Sequence, residues 1–348
     1  MDKNHKHELG QFMTTNQNYI LQNMYIPKDI KNIIEPFAGN EDLLNGSMIV
    51  KKEDYKIECY DIEPKKANIL KQDTLNNPPD YNNKFIITNP PYLARNKSKD
   101  KPIFDKYKVN DLYKCFIKEL ITNKSLGGII IIPLNFWSSI RISDIKLRKL
   151  FLEQYDILQL NIFEEKVFED TTYSVCSFQF QQKKDIKNNT KINITIYPSK
   201  KEIQVELNDR NNYIIGGEIY KLLIKNKYKI TRLTSKNKDK QNTNILVKCI
   251  DDNQKNKICL SYDEKLYIDN TPNQTARTYA TLIIEPIIDI NKQKELINKF
   301  NKFLNDRRND YNSLFLTNYR ESNTIARKRI SFDLVYLIVE YILENDFI

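Results

Sequence analysis

The chain has 348 residues, 40% of them hydrophobic and 29% charged, a globular mixture long enough for two ordinary domains. Its longest strongly apolar stretch, Gly127 to Leu134, falls far short of the roughly 20 residues that cross a bilayer, and the polar start lacks a signal-peptide core, so a soluble, cytoplasmic protein with no membrane association is expected. The two histidines, His5 and His7, lie in a polar leader, and the five cysteines form neither a Cys-x-x-Cys nor a Pro-Cys pair. A catalytic triad, a metal cluster, a disulfide framework and a thiolate nucleophile are all disfavoured, whereas the excess of 55 Lys and Arg over 45 Asp and Glu favours a polyanionic partner.

From Lys31 to Phe180 short apolar runs alternate with amphipathic stretches, the pattern of βα units feeding a largely parallel sheet. The runs predict strands at Asn32–Glu35, Lys56–Tyr60, Phe85–Thr88, Gly128–Pro133, Ile157–Phe163 and Ser174–Gln181. The last two are placed to pair antiparallel, which separates this sheet from a six-stranded dinucleotide-binding one. Helices are expected at Asp42–Lys51, Pro64–Leu70, Asp111–Lys124 and Ser143–Glu153, and later at Asn291–Arg308 and Ile330–Glu344. The texture turns charged and Asn-rich after Gln182, which predicts a boundary there and two domains, 1–182 and 183–348.

Chemistry concentrates at the expected strand ends. Glu35-Pro36-Phe37-Ala38-Gly39-Asn40 opens a tight turn in which Gly39 lets backbone approach a ligand and Glu35 offers a carboxylate to a cation. Asp61 ends the next strand, where an acid commonly grips ribose hydroxyls, and Gln72-Asp73-Thr74 supplies a second carboxylate able to receive an adenine amino group. Asn89-Pro90-Pro91-Tyr92 follows Phe85–Thr88. Two prolines remove competing N–H donors, so the Asn89 side chain and the Asn89 and Pro90 carbonyls can converge on one planar NH2 group held flat by the Tyr92 ring.

This ordered set resembles the S-adenosylmethionine-dependent amino-methyltransferases, specifically the gamma-type N6-adenine DNA methyltransferases. Leu9-Gly10-Gln11-Phe12-Met13-Thr14-Thr15 is similar to the family's amino-terminal cofactor motif, with Thr15 in place of its proline, and Glu35 to Asn40 is similar to the next motif, with Glu41 in place of its second glycine. Asp111-Leu112-Tyr113, Leu126-Gly127-Gly128 and Pro133 to Trp137 follow in family order.

The resemblance implies an α/β fold: a Rossmann-like methyltransferase sheet, mostly parallel with an antiparallel hairpin at one edge, plus a C-terminal α+β DNA-recognition domain. It further implies S-adenosylmethionine held by Phe12, Thr14, Glu35, Pro36, Phe37, Ala38, Gly39, Asp61, Ile62, Asp73, Thr74 and Asn89. A flipped adenine would be methylated at Asn89, Pro90, Pro91 and Tyr92, with Phe168 stacking opposite Tyr92 and Tyr173 in reserve. Double-stranded DNA is the expected partner, contacted by Arg232, Lys236, Lys238, Lys240, Arg307, Arg308, Arg320, Arg327, Lys328 and Arg329. No metal is expected, a companion restriction endonuclease fits, and the chain would act as a monomer or weak dimer in a bacterial cell or the host cell of a large DNA virus. The polar run Leu93–Lys108, with Arg95, Lys97, Lys99 and Lys101, is expected to order on DNA. Enzymes that methylate RNA amino groups or a protein glutamine amide share Asn-Pro-Pro-Tyr, and a non-catalytic DNA-binding subunit is the reading from another class.

Overall fold

The computed structural model describes Gly10, Thr14 and residues 16–168, 173–184, 191–252, 257–270, 279–319 and 327–345. Two compact units emerge, the first running through Asn208 and the second spanning Asp209–Tyr319 and continuing from Arg327.

The first unit is built on a nine-stranded mixed sheet ordered β3-β2-β1-β4-β5-β7-β6-β8-β9. Strands β1 (Asn32–Glu35), β2 (Lys56–Asp61), β3 (Leu70–Lys71), β4 (Phe85–Thr88) and β5 (Gly127–Pro133) run parallel. Both faces of β4 and β5 are buried, as their unbroken Ile runs require. β6 (Tyr155–Phe163) and β7 (Val175–Gln182) form the expected antiparallel pair, with β7 inserted between β5 and β6. The hairpin is not the edge of the sheet: β8 (Lys191–Tyr197) pairs parallel with β6, and β9 (Lys201–Glu206) closes antiparallel on β8. The compact unit accordingly runs past Gln182, because Ile192, Ile194 and Ile196 alternate into the same core.

Helices α1 (Gln17–Ile20), α2 (Asp42–Asn45), α3 (Pro102–Tyr107), α4 (Leu112–Thr122), α5 (Asn135–Ser138) and α6 (Ile142–Gln154) complete this unit. Two expected helices differ. The one starting at Asp42 stops at Asn45, where Gly46 caps it and Ser47 follows. No helix spans Pro64–Leu70, since Lys66 and Asn68 there turn their side chains toward Glu41. Within the run Leu93–Lys108, α3 has Pro102 in its first turn, as that residue favours, and buries Ile103 and Phe104.

The second unit pairs a four-stranded antiparallel sheet, ordered β10 (Lys229–Arg232), β13 (Tyr279–Glu285), β11 (Ile245–Lys248), β12 (Cys259–Tyr262), with helices α7 (Ile290–Tyr311) and α8 (Phe332–Asn345). Leu282 and Ile284 of the sheet share a core with Leu296, Phe300 and Leu304 of α7 and Ile338 and Ile342 of α8. β14 (Thr317–Tyr319) and β15 (Arg327–Arg329) form a separate ribbon.

Candidate functional site

In the order β2-β1-β4-β5 the chain reverses direction across the sheet between β1 and β4, and ligands of open α/β sheets bind outside the strand ends at such a switch point. A cleft of about 220 Å3 lies there, lined from the ends of β1, β2 and β4 and from the turn after β3. Among its lining residues are Thr14, Glu35, Phe37, Ala38, Gly39, Asp61, Ile62, Asp73, Thr74 and Asn89. Pro36 stands behind the wall, its carbonyl accepting from Thr74 Oγ1 at 3.0 Å, and Phe12 lies outside the described residues.

The floor is a backbone cradle. Gly39 has φ +53° and nothing within 4 Å of the position a Cβ would occupy, so its backbone borders open space. Its N–H donates to Asp61 Oδ2 at 2.8 Å while the Glu63 N–H donates to Oδ1 at 2.8 Å. One carboxylate thus fixes the ends of β1 and β2 together. Asp73 accepts from the Leu75 and Asn76 amides at 3.1 and 3.0 Å and from the Asn76 side chain, which shapes the third wall.

Glu35 is buried to 2% exposure and its Oε2 has no hydrogen-bond partner. Burial, with the charge of Glu41 adding to it, pushes its carboxyl well above the usual range. Glu41 takes the left-handed conformation at φ 61°, so the turn geometry of the absent glycine is kept by a residue that disfavours it. Its carboxylate is clamped by Asn68 Nδ2 at 2.6 Å, Asn45 Nδ2 at 3.3 Å and Lys66 Nζ at 3.3 Å. Burial opposes its ionisation, yet these hydrogen bonds and the Lys52 charge hold it below the ordinary value.

The turn after β4 is stitched to the amino-terminal segment. The Tyr92 N–H donates to the Gly10 carbonyl at 2.9 Å, and Asn89 Nδ2 donates to Thr14 Oγ1 at 3.2 Å. A Cβ on Gly10, at φ +67°, would meet the Tyr92 carbonyl at 2.8 Å. Asn89 and Pro91 line the cleft, while Pro90 and Tyr92 are buried. The Tyr92 hydroxyl lies against both Asn89 Oδ1 and the Ile131 carbonyl. An amide oxygen accepts two hydrogen bonds, so this contact alone does not close Asn89 to a second donor. Tyr173 meets the Tyr92 ring edge-on with centroids 6.0 Å apart, whereas Phe168 is buried to 2% outside the cleft lining.

Sequence reasoning missed the fourth wall. Leu93, Ser98, Asp100, Ile103 and Leu112 enclose the cleft from the segment after the turn. Lys106 Nζ and Tyr107 Oη at the end of α3 donate to the Leu75 carbonyl at 3.0 and 2.7 Å, closing that segment onto the turn after β3. The signal was Ile103-Phe104 inside an otherwise polar run. Asp111, which accepts from the Leu93 N–H at 3.1 Å, has its carboxyl pushed up to about 7 by burial.

Several basic residues assigned to a nucleic-acid surface have internal work in the second unit. Arg308 pairs with buried Asp252 at 2.7 Å, and Arg232 lies 3.5 Å from Asp269 and stacks over Phe332. Lys236, Lys238 and Lys240 are exposed; Arg320 and the side chain of Arg327 lie outside what is described. Among the described residues no cluster of His, Cys, Asp or Glu could hold a metal, and no helix is long and apolar enough to cross a membrane.

Residues 11–168 match the model of the Eco57I restriction-modification methylase family. No curated protein matches the sequence. Solved structures with similarity include the type I restriction-modification system methyltransferase subunit from Streptococcus thermophilus, at 15% identity over 54% of this chain and 47% of that one with a TM-score of 0.40. A DrdV–DNA complex matches at 15% identity over 61% of this chain and 32% of that one, TM-score 0.43. The type IIG restriction endonuclease BpuSI matches at 14% identity over 64% and 35%, TM-score 0.40. The chain spans about half the length, or less, of these three structures.

Proposed function

We propose that the protein is a DNA methyltransferase that transfers the methyl group of S-adenosylmethionine to N6 of an adenine flipped out of duplex DNA. The observation that carries this reading is that one cleft joins the cradle of Glu35, Gly39 and Asp61 to the Asn89–Pro91 turn. The residues fit the cofactor: an orphaned buried carboxylate oxygen on Glu35 suits a cation, Gly39 leaves room for close backbone approach, and exposed Ile62 offers an apolar surface for an adenine ring.

When bound, S-adenosylmethionine supplies an electrophilic methyl group. Asp61 holds the floor through Gly39 and Glu63, and Asp73 shapes the far wall. Asn89 Oδ1 and the Pro90 carbonyl accept the two N–H groups of the target amine and orient its lone pair, which makes positioning and electrostatics the source of rate. Tyr92 and Phe168 are both buried to 2% outside the cleft lining, so Tyr92 backs the turn through its hydroxyl on the Ile131 carbonyl, and half-buried Tyr173, edge-on to Tyr92, is the aromatic better placed to meet the base. The second unit supplies DNA contacts, and a restriction endonuclease is the natural companion of such an activity.

Two measurements test the reading: calorimetric titration with S-adenosylmethionine, and long-read sequencing of DNA from a methylation-free host expressing the chain. N6-methyladenine at one recurring sequence is expected, with Asn89→Ala lowering the rate on the order of 10²–10³-fold. Methyl transfer to RNA or a protein amide without transfer to DNA would overturn the reading.

A further inference from the structure

The loop between α5 and α6, with the first residue of α6, carries Ile140, Arg141 and Ile142 into solvent, Ile140 at 41% and Ile142 at 72% exposure, with Arg141 exposed between them. A single exposed isoleucine is unremarkable. Two flanking an arginine on a rigid mount are not. Ser139 and Arg141 are both extended, and the backbone is tied from behind. The guanidinium of Arg148, itself at 0% exposure, donates to the Phe136 and Ser139 carbonyls at 2.5 and 2.7 Å. Ser139 Oγ donates to Asp144 at 2.6 Å, and Asp144 pairs with Lys114 at 2.7 Å, both side chains 3% exposed. The Arg141 carbonyl accepts from the Asp144 and Ile145 amides at 2.9 Å. Buried charge is costly to assemble, and here it fixes a three-residue tip whose side chains are the exposed part.

The tip belongs to the working edge of the sheet. It follows β5, the parallel neighbour of β4, and Tyr92 reaches the Ile131 carbonyl of β5. An edge-on ring series continues from Tyr92 to Tyr113 to Phe136, with centroids 6.2 and 6.4 Å apart, so the Tyr113 ring links the mount to the Asn89–Tyr92 turn.

We infer that Ile140–Arg141–Ile142 is a duplex-opening wedge: the isoleucines press between base pairs beside the target, and Arg141 contacts the adjoining phosphate. This rests on the DNA-adenine reading above. Branched apolar side chains are what proteins insert between stacked bases, a flanking cation suits the phosphate backbone, and a flipped base leaves a gap that an apolar side chain can occupy.

The test is single-turnover methylation by the full chain and by an Ile140→Ala/Ile142→Ala variant on two duplexes carrying the mapped recognition sequence. In one the target adenine pairs with thymine; in the other it faces an abasic site and is already unpaired. The variant is expected to lose about 10- to 100-fold on the paired duplex while staying within about threefold of the unaltered chain on the abasic one, since opening costs a few kcal/mol only where a pair must break. Full activity on the paired duplex would overturn the wedge, and so would equal loss on both, which would make the residues general DNA contacts or supports. If the unaltered chain methylates neither duplex, the DNA-adenine reading itself has failed and the wedge falls with it.

Discussion

Asp61 shows how much one carboxylate can be asked to do. Both of its oxygens accept backbone amides from neighbouring turns, so Asp61→Ala is expected to loosen the cradle as well as remove a ribose acceptor, weakening S-adenosylmethionine binding by ~1–3 kcal/mol. A dissociation constant unchanged by calorimetry would reduce Asp61 to a turn residue. Glu35 adds a pH signature. Burial keeps its proton on above the usual carboxylate range, and a cation seated beside Oε2 favours the ionised form, so binding releases a proton. Affinity should therefore rise with pH until Glu35 ionises without help, and calorimetry in buffers of different ionisation enthalpy should read the released proton. Zero net release, or a Glu35→Gln variant with the same pH dependence, would contradict it.

Between elements, the buried Lys114–Asp144 pair pins α4 to α6. Lys114→Met leaves Asp144 charged and buried, with an expected loss of about 3–5 kcal/mol in urea unfolding, whereas Lys114→Met with Asp144→Leu should recover much of it. Burial works against Asp144, but the Lys114 charge and the Lys114 and Ser139 hydrogen bonds hold its carboxyl below the ordinary value. The stability it contributes is thus present above the usual carboxylate range and lost as pH falls through its lowered pKa. No recovery in the double variant would mean that the pair does more than balance charge. Elements of this kind were legible where a local pattern sufficed. β1 and β4 begin and end where their apolar runs do, and α4 follows its periodicity, whereas α6 buries Asp144 and Arg148 beside Leu147, Phe151 and Leu152. What escaped was set by distant partners: Lys66 and Asn68 serve Glu41 instead of a helix, and Ile103 finds its place only against the cleft. Glu35, Gly39, Asp61, Asp73 and Asn89 line one cleft because they sit at or just past strand ends, whose convergence follows from sheet order. Tyr92 did not show its burial, since a ring reads alike inside and out.

For the molecule as a whole, β8 and β9 decide what can stand alone. A fragment ending at Asn208 keeps the nine-strand sheet and is expected to unfold cooperatively and bind S-adenosylmethionine, while one ending at Gln182 bares the long edge of β6 and should aggregate. Equal solubility and cooperativity of the two would show that β8 and β9 are ornaments to the core. The stitching of residues 20–25 has a consequence in time. Asn161 and Ser177 hold the Ile20 carbonyl, Gln179 accepts from the Tyr25 amide, and Tyr197 accepts from Asn23, so this segment leaves the ribosome long before its partners exist. Closing so wide a loop is entropically late work. Protease added to stalled nascent chains should cut within residues 20–25 until β7 and β8 have emerged, and early protection would disprove the order. The segment that completes the Asn89 turn would then be translated before those partners and seated after them, leaving the cleft of the half-made chain without its amino-terminal wall.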